Sequence, residues 1–201
     1  TICMAIKAGI FGDDTNTKHR LISDYKKLAK LVRHWKELGL KIVLTSGTWD
    51  LFHIGHAEYL KQAKEYGDLL IVGVDSDEKV RARKGPHRPV VPEKERVEIL
   101  CHLRHVDVVT IKPLSEKANE LIKLIKPDVL VMSESTKHRA GDIKEKKKYA
   151  RKIILMKPQA STSTSAKVRL LHVSGADRFA KEVANRIPGL MEEVMESLAK
   201  K

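Results

Sequence analysis

The run Leu69-Leu-Ile-Val-Gly-Val74 carries no polar side chain, which is how a strand buried on both faces of a parallel sheet reads. Other short apolar runs share that character: Lys41-Ile-Val-Leu-Thr45, Val106 to Ile111, Asp128-Val-Leu-Val-Met132 and Lys152 to Met156. Helical patterns separate them. Between Ile22 and Leu38, the residues Leu28, Leu31, Val32, Trp35 and Leu38 recur at spacings of three and four, and Gly39 ends the helix. Residues 57–64, 93–103, 115–125 and 140–151 read as further helices, while 75–92 is polar, contains glycine and reads as a loop. Strands alternating with helices require parallel pairing through right-handed crossovers. The expected fold is therefore α/β, a Rossmann-like doubly wound parallel sheet of about five strands in a single domain. An N-terminal extension with a helix is expected over 1–40, the Rossmann-like domain over 41–170, and a helical tail over 171–201. Leu190, Val194 and Leu198 give the tail an apolar stripe that packs on the domain or on a second subunit, and a homodimer is expected. Within residues 1–20, Gly9 to Asn16 reads as a loop rich in turn formers and is assigned no function.

The stretch between the first strand and its helix is Thr45-Ser-Gly-Thr-Trp-Asp-Leu-Phe-His-Ile-Gly-His56. Two histidines three residues apart at a helix start lie on one face. Gly55 lets a ligand approach the backbone, and the unsatisfied N–H groups and partial positive charge of the helix end suit a phosphate. Such a donor array can hold a triphosphate while charge moves onto departing pyrophosphate, with no covalent nucleophile. Zinc held by His53, His56 and Asp50 is the competing reading of the same residues.

The order Gly-Thr-Trp-Asp-Leu-Phe-His-Ile-Gly-His resembles the signature of the nucleotidyltransferase superfamily, in which both histidines contact the nucleotide's phosphates. A second stretch strengthens the resemblance. Lys84-Gly-Pro-His-Arg-Pro-Val-Val-Pro-Glu-Lys-Glu-Arg96 looks like the Lys-Gly-x-x-Arg-Pro-Val-x-Pro-x-x-x-Arg pattern of heptose-phosphate adenylyltransferases. The Arg96 position is shared with glycerol-phosphate and ethanolamine-phosphate cytidylyltransferases. A third is Lys157-Pro-Gln-Ala-Ser-Thr-Ser-Thr-Ser-Ala-Lys-Val168, whose hydroxyls exceed what one helix cap needs. It resembles the Ser-Thr-Thr segment that closes over phosphates in cytidylyltransferases. One departure is plain: Met132-Ser-Glu-Ser-Thr-Lys-His-Arg139 stands where the heptose enzymes carry Lys-Gly-Gly-Asp.

The resemblance implies catalytic roles for His53, His56, Lys84 and Arg88. It implies nucleotide contacts from Gly47, Thr48, Trp49, Asp50, Phe52 and Gly55, from Asp75 and Arg96, and from Met132 and Ser133. Lys157, Thr162, Ser163, Thr164 and Ser165 complete that set. It also implies a Mg²⁺ ion, an NTP (ATP favoured over CTP) and a phosphorylated small-molecule acceptor. The alternatives are a CTP-dependent enzyme for glycerol-phosphate or ethanolamine-phosphate type acceptors, an RNA-related protein with a synthetase-like site, and a nucleotide sensor without turnover.

Net charge decides less than the motifs. At +13 it favours anionic partners, but aromatics are only 4% and the basic residues are scattered. The stacking groove of single-strand binders is therefore missing, and nucleic acid is not the expected partner. The run Lys144 to Lys152 reads as a solvated helix face. No apolar run approaches the length of a membrane span and no signal-peptide pattern occurs. Cys3 and Cys101 offer no metal spacing, and Cys101 reads as a buried reduced thiol, so a cytoplasmic setting is expected.

Overall fold

The computed structural model describes residues 17–134, 140–157, 182–187, 189, 191 and 195. Residues 1–161 and 162–201 form separate compact units. In the first, helix α1 (Tyr25–Glu37) is followed by strand β1 (Ile42–Gly47), α2 (Ile54–Lys64), β2 (Leu69–Asp75), α3 (Asp77–Lys84) and α4 (Glu93–Cys101). Then come β3 (Val108–Lys112), α5 (Glu120–Ile125), β4 (Val129–Ser133), α6 (Ala140–Lys146) and β5 (Lys152–Met156). In the second unit the described residues are helical. The tail positions Leu190, Val194 and Leu198 lie outside the described residues, as do 1–16.

The five strands are all parallel, in the order β3-β2-β1-β4-β5. This is the doubly wound sheet expected from the alternation, and its order reverses between β1 and β4. The pleat splits the apolar runs between two layers. Val43, Leu70 and Val72 face Tyr59 and Leu60 of α2 and Leu100 of α4. Ile42, Leu44 and Ile71 face Leu28, Val32 and Trp35 of α1 and Leu121 and Ile125 of α5. Burial of this kind, at about 25 cal/mol per Å² of apolar surface, is what holds a parallel sheet closed on both faces.

Local signals set the ends. The Asp24 carboxylate caps α1, accepting from Lys26 N at 2.7 Å and Lys27 N at 3.3 Å. At the other end Gly39, with φ +78°, sits in the left-handed region. Its N–H donates to Lys36 O and the N–H of Leu40 to Trp35 O, both at 3.0 Å, so orphan carbonyls are satisfied. The segment 75–92, expected as loop, contains α3. Its only buried residue is Val80, so the helix has no apolar stripe to announce it. Capping marks it instead: Ser76 Oγ accepts from Lys79 N at 3.2 Å, Asp77 and Glu78 open it, and Arg81, Arg83 and Lys84 close it. Cys101 is buried and its thiol is pushed up to about 11 by that burial, in line with the buried, reduced thiol expected.

Gly73 of β2 marks a close approach to the sheet. A Cβ there would stand 2.9 Å from Leu121 Cδ2, 2.9 Å from Lys112 Cδ and 3.0 Å from Ser46 Cβ. Gly73→Ala is expected to destabilise the protein by about 1–3 kcal/mol through overpacking, read as a lower urea midpoint. An unchanged midpoint would mean that this side of the sheet has room for the added methyl group.

Candidate active site

The chain leaves β1 through a turn that two non-glycine residues enter in the left-handed conformation, Trp49 at φ +58° and Leu51 at φ +47°. Such residues persist only where their surroundings over-determine them. Here they do. The Trp49 indole is buried and donates to Gly73 O at 3.1 Å. Asp50 is 2% exposed; its carboxylate accepts from Val90 N at 3.1 Å and Val91 N at 2.9 Å and pairs with Arg88 at 2.7 Å. Arg96, 1% exposed, donates to Thr48 O, to Asp75 O at 3.0 Å and to Val91 O at 2.9 Å, and pairs with Asp77 at 2.7 Å. One guanidinium thereby ties the β1 turn, the end of β2 and the start of α3 together, a task for Arg's planar five-donor fork.

The turn delivers two histidines. His53 caps α2, its Nδ1 accepting from Gly55 N at 3.1 Å. An Nδ1 used as acceptor places the proton of the neutral ring on Nε2, making that nitrogen a donor. The His56 ring stacks on it, with centroids 4.0 Å apart and planes 28° apart. Phe52 at 5.3 Å and Trp49 at 5.6 Å flank His56. The pair is therefore held by aromatic walls at the positive end of α2, beyond the carboxyl end of β1 and beside the point where strand order reverses.

Cations gather at the turn before the histidines. Arg83 Nη2 donates to Thr48 Oγ1 at 2.9 Å and to Asp75 Oδ2 at 2.8 Å, yet the side chain stays 54% exposed. The Lys84 ammonium is lowered by desolvation, and further by the like charges of Arg83 and Arg88. Cations crowded in this way favour an anion among them. Arg83 lies in the basic stretch but outside the residues singled out by resemblance. The signal that would have found it is the capped helix α3, which brings its last turn over Thr48.

The structure thus brings Thr48, Asp50, Asp75, Arg88 and Arg96 into one bonded group around the turn that leads to the histidines, and Trp49 and Phe52 of that turn pack against His56. Asp50, Asp75 and Arg96 are buried; Asp50 and Arg96 fix the backbone here, while the Asp75 carboxylate holds Arg83. Gly47 ends β1 and Gly55 is buried in the first turn of α2. Met132 is buried and Ser133 half-buried at the end of β4, and exposed Lys157 follows β5. Thr162, Ser163, Thr164 and Ser165 lie outside the described residues. Among the described residues no group of three or more His, Cys, Asp and Glu could hold a metal ion, so zinc on His53, His56 and Asp50 is not supported. The bonded state of Asp50 gives the reason: its oxygens are occupied by the 88–91 loop.

The model of the cytidylyltransferase-like family matches residues 44–184. The chain belongs to the cytidylyltransferase-like family. Membership carries the nucleotidyltransferase class that the His-Ile-Gly-His turn pointed to. Among similar curated proteins, the bifunctional protein HldE of Nitratiruptor sp. is 41% identical over 62% of this chain and 25% of its own length. That of Methylobacillus flagellatus is 35% identical over 75% of this chain and 31% of its own. The chain therefore spans a quarter to a third of these relatives. The solved structure of a lipopolysaccharide core biosynthesis protein from Thermoplasma volcanium is 27% identical, covering 59% of this chain and 97% of that one at TM-score 0.51. A pantoate-beta-alanine ligase from Francisella tularensis shares the fold at 18% identity and TM-score 0.54, over 72% of this chain and 68% of its own. Family members of this class use divalent metal ions.

Proposed function

We propose that the chain transfers a nucleoside monophosphate from an NTP, with ATP favoured over CTP, to a phosphorylated small molecule such as a sugar phosphate. A phosphate oxygen of the acceptor attacks the α-phosphorus in line. The bond from that phosphorus to the bridging oxygen breaks, and pyrophosphate leaves with its electron pair. The acceptor oxygen is already an anion near neutral pH, so no general base is required. One observation carries this reading: the stacked His53 and His56 rings, fixed at the N-terminus of α2. Preorganised N–H donors of that kind stabilise charge where it develops in the transition state.

Roles divide between the histidines, the basic side chains and the hydroxyl run. His53 and His56 donate to the triphosphate. Lys84, with Arg88 and Lys157, neutralises charge on the nucleotide's phosphates. The hydroxyls of 162–165 are assigned to the β and γ phosphates. Asp50 and Asp75 are committed to protein partners, so Mg²⁺ would be held chiefly by phosphate oxygens and water, and bound in that way it supplies charge neutralisation. Preference for ATP rests on the Lys84-to-Arg96 stretch and on the HldE relatives. The catalytic domain is assigned to 41–170, although α1 buries Leu28, Val32 and Trp35 against the same sheet.

The experiment is pyrophosphate release with ATP or CTP and magnesium over heptose 1-phosphate, glycerol 3-phosphate and phosphoethanolamine. Release with ATP and the sugar phosphate is expected. Preferential release with CTP would reassign the nucleotide, and none with any pair would remove the reading.

A further inference from the structure

A row of charges at the carboxyl ends of β2 and β3 is unused by the reaction as described. Asp75, 2% exposed, ends β2, and its Oδ1 faces Lys112 Nζ at 3.6 Å while Oδ2 takes Arg83. Lys112 is the register partner of Asp75 on β3. It also faces Glu116 Oε2 at 3.7 Å. The Glu116 side chain is 2% exposed; it pairs with Lys79 and accepts from Leu121 N at 3.2 Å. Burial, and then Glu116, push the Tyr25 phenol of α1 up. The row runs Glu116, Lys112, Asp75, Arg83, Thr48. It ends on the turn that carries the histidines.

Two buried carboxylates here meet three cations, and the cations are not alike. Lys79 and Lys112 are 22% and 18% exposed, whereas Arg83 is 54% exposed. Arg83 makes both of its bonds through Nη2. A guanidinium has five N–H groups, so three remain beyond that nitrogen. An ion pair to so exposed an arginine adds little stability; what it fixes is where the fork sits. Position also offsets this cation from the point where strand order reverses. Doubly wound folds bind ligands where strand order reverses, here between β1 and β4, and Arg83 instead bridges the ends of β1 and β2.

We propose that Asp75, with Lys112 and Glu116 behind it, is a positioning device that holds Arg83 for the phosphate of the acceptor, making Arg83 a determinant of preference for phosphorylated acceptors. The proposal rests on the nucleotidyl-transfer reading. Asp75, Lys112 and Glu116 act through Arg83 and touch no substrate.

The test pairs calorimetric binding of heptose 1-phosphate with steady-state kinetics. Arg83→Ala, at an exposed position that the fold tolerates, weakens heptose 1-phosphate binding and raises its KM by about tenfold or more, leaving KM for ATP within about twofold. Asp75→Asn does the same alone but adds less than about twofold to Arg83→Ala, because coupled residues do not add. Glu116→Gln shifts the acceptor KM in the same direction by a smaller factor. A merely structural row would lower Tm without separating the two KM values. Wild-type-like binding in Arg83→Ala, or Asp75→Asn and Arg83→Ala effects that multiply in full, overturns the proposal. Should the wild type release no pyrophosphate while Arg83→Ala still loses phosphate binding, the transferase reading falls and the assignment of Arg83 stands.

Discussion

His56→Ala lowers kcat for pyrophosphate release by about a hundredfold or more, with the fold intact. The ring is half-buried, stacked on His53 and walled by Trp49 and Phe52, so its position is set before any ligand arrives. A donor preorganised in this way acts most strongly on the charge of the transition state, which places its loss in kcat more than in KM for the nucleotide. Circular dichroism and Tm check the fold. His53→Ala makes the informative contrast. Because His53 also caps α2 through Gly55 N, its loss costs about 1 kcal/mol of stability in addition to rate. A kcat near the wild-type value in His56→Ala would take this ring out of the reaction.

The second large effect is on folding. Arg96→Met fills a similar volume but strips the donors from Thr48 O, Asp75 O and Val91 O and leaves Asp77 without its guanidinium. Breaking a buried ion pair while its partners remain costs about 3–5 kcal/mol. For a chain of this size that lowers Tm by on the order of 10 °C. Arg96→Lys should recover little, since one ammonium cannot reach carbonyls on three segments. A Tm within about a degree of wild type in Arg96→Met would show that the turn above β1 is held by other contacts.

Much of the molecule could be read from its residues. Strands that bury both faces must be continuously apolar, so β1, β2 and β4 declared themselves, and Trp35 and its neighbours gave α1 a stripe of helical period. The alternation then left the doubly wound sheet as the simplest topology. Helix α3 escaped because only Val80 is buried; a helix held by caps and charge has no period to detect. Arg96 and Asp50 were legible as members of a motif, but their bonds were not. The partners of Arg96 extend to Thr48, 48 positions away, and those of Asp50 lie about 40 away in the 88–91 loop. Arg83 was hidden among basic neighbours for the same reason: its contacts with Thr48 and Asp75 single it out.

What the chain's order of residues determined alone is what depends on near neighbours: apolar runs, capping residues, and two imidazoles one helical turn apart. Tertiary structure decided which of many charges face solvent and which are consumed as braces. That choice turns on burial, because a charged group taken out of water must find its partner wherever the fold places one, however far along the chain it lies.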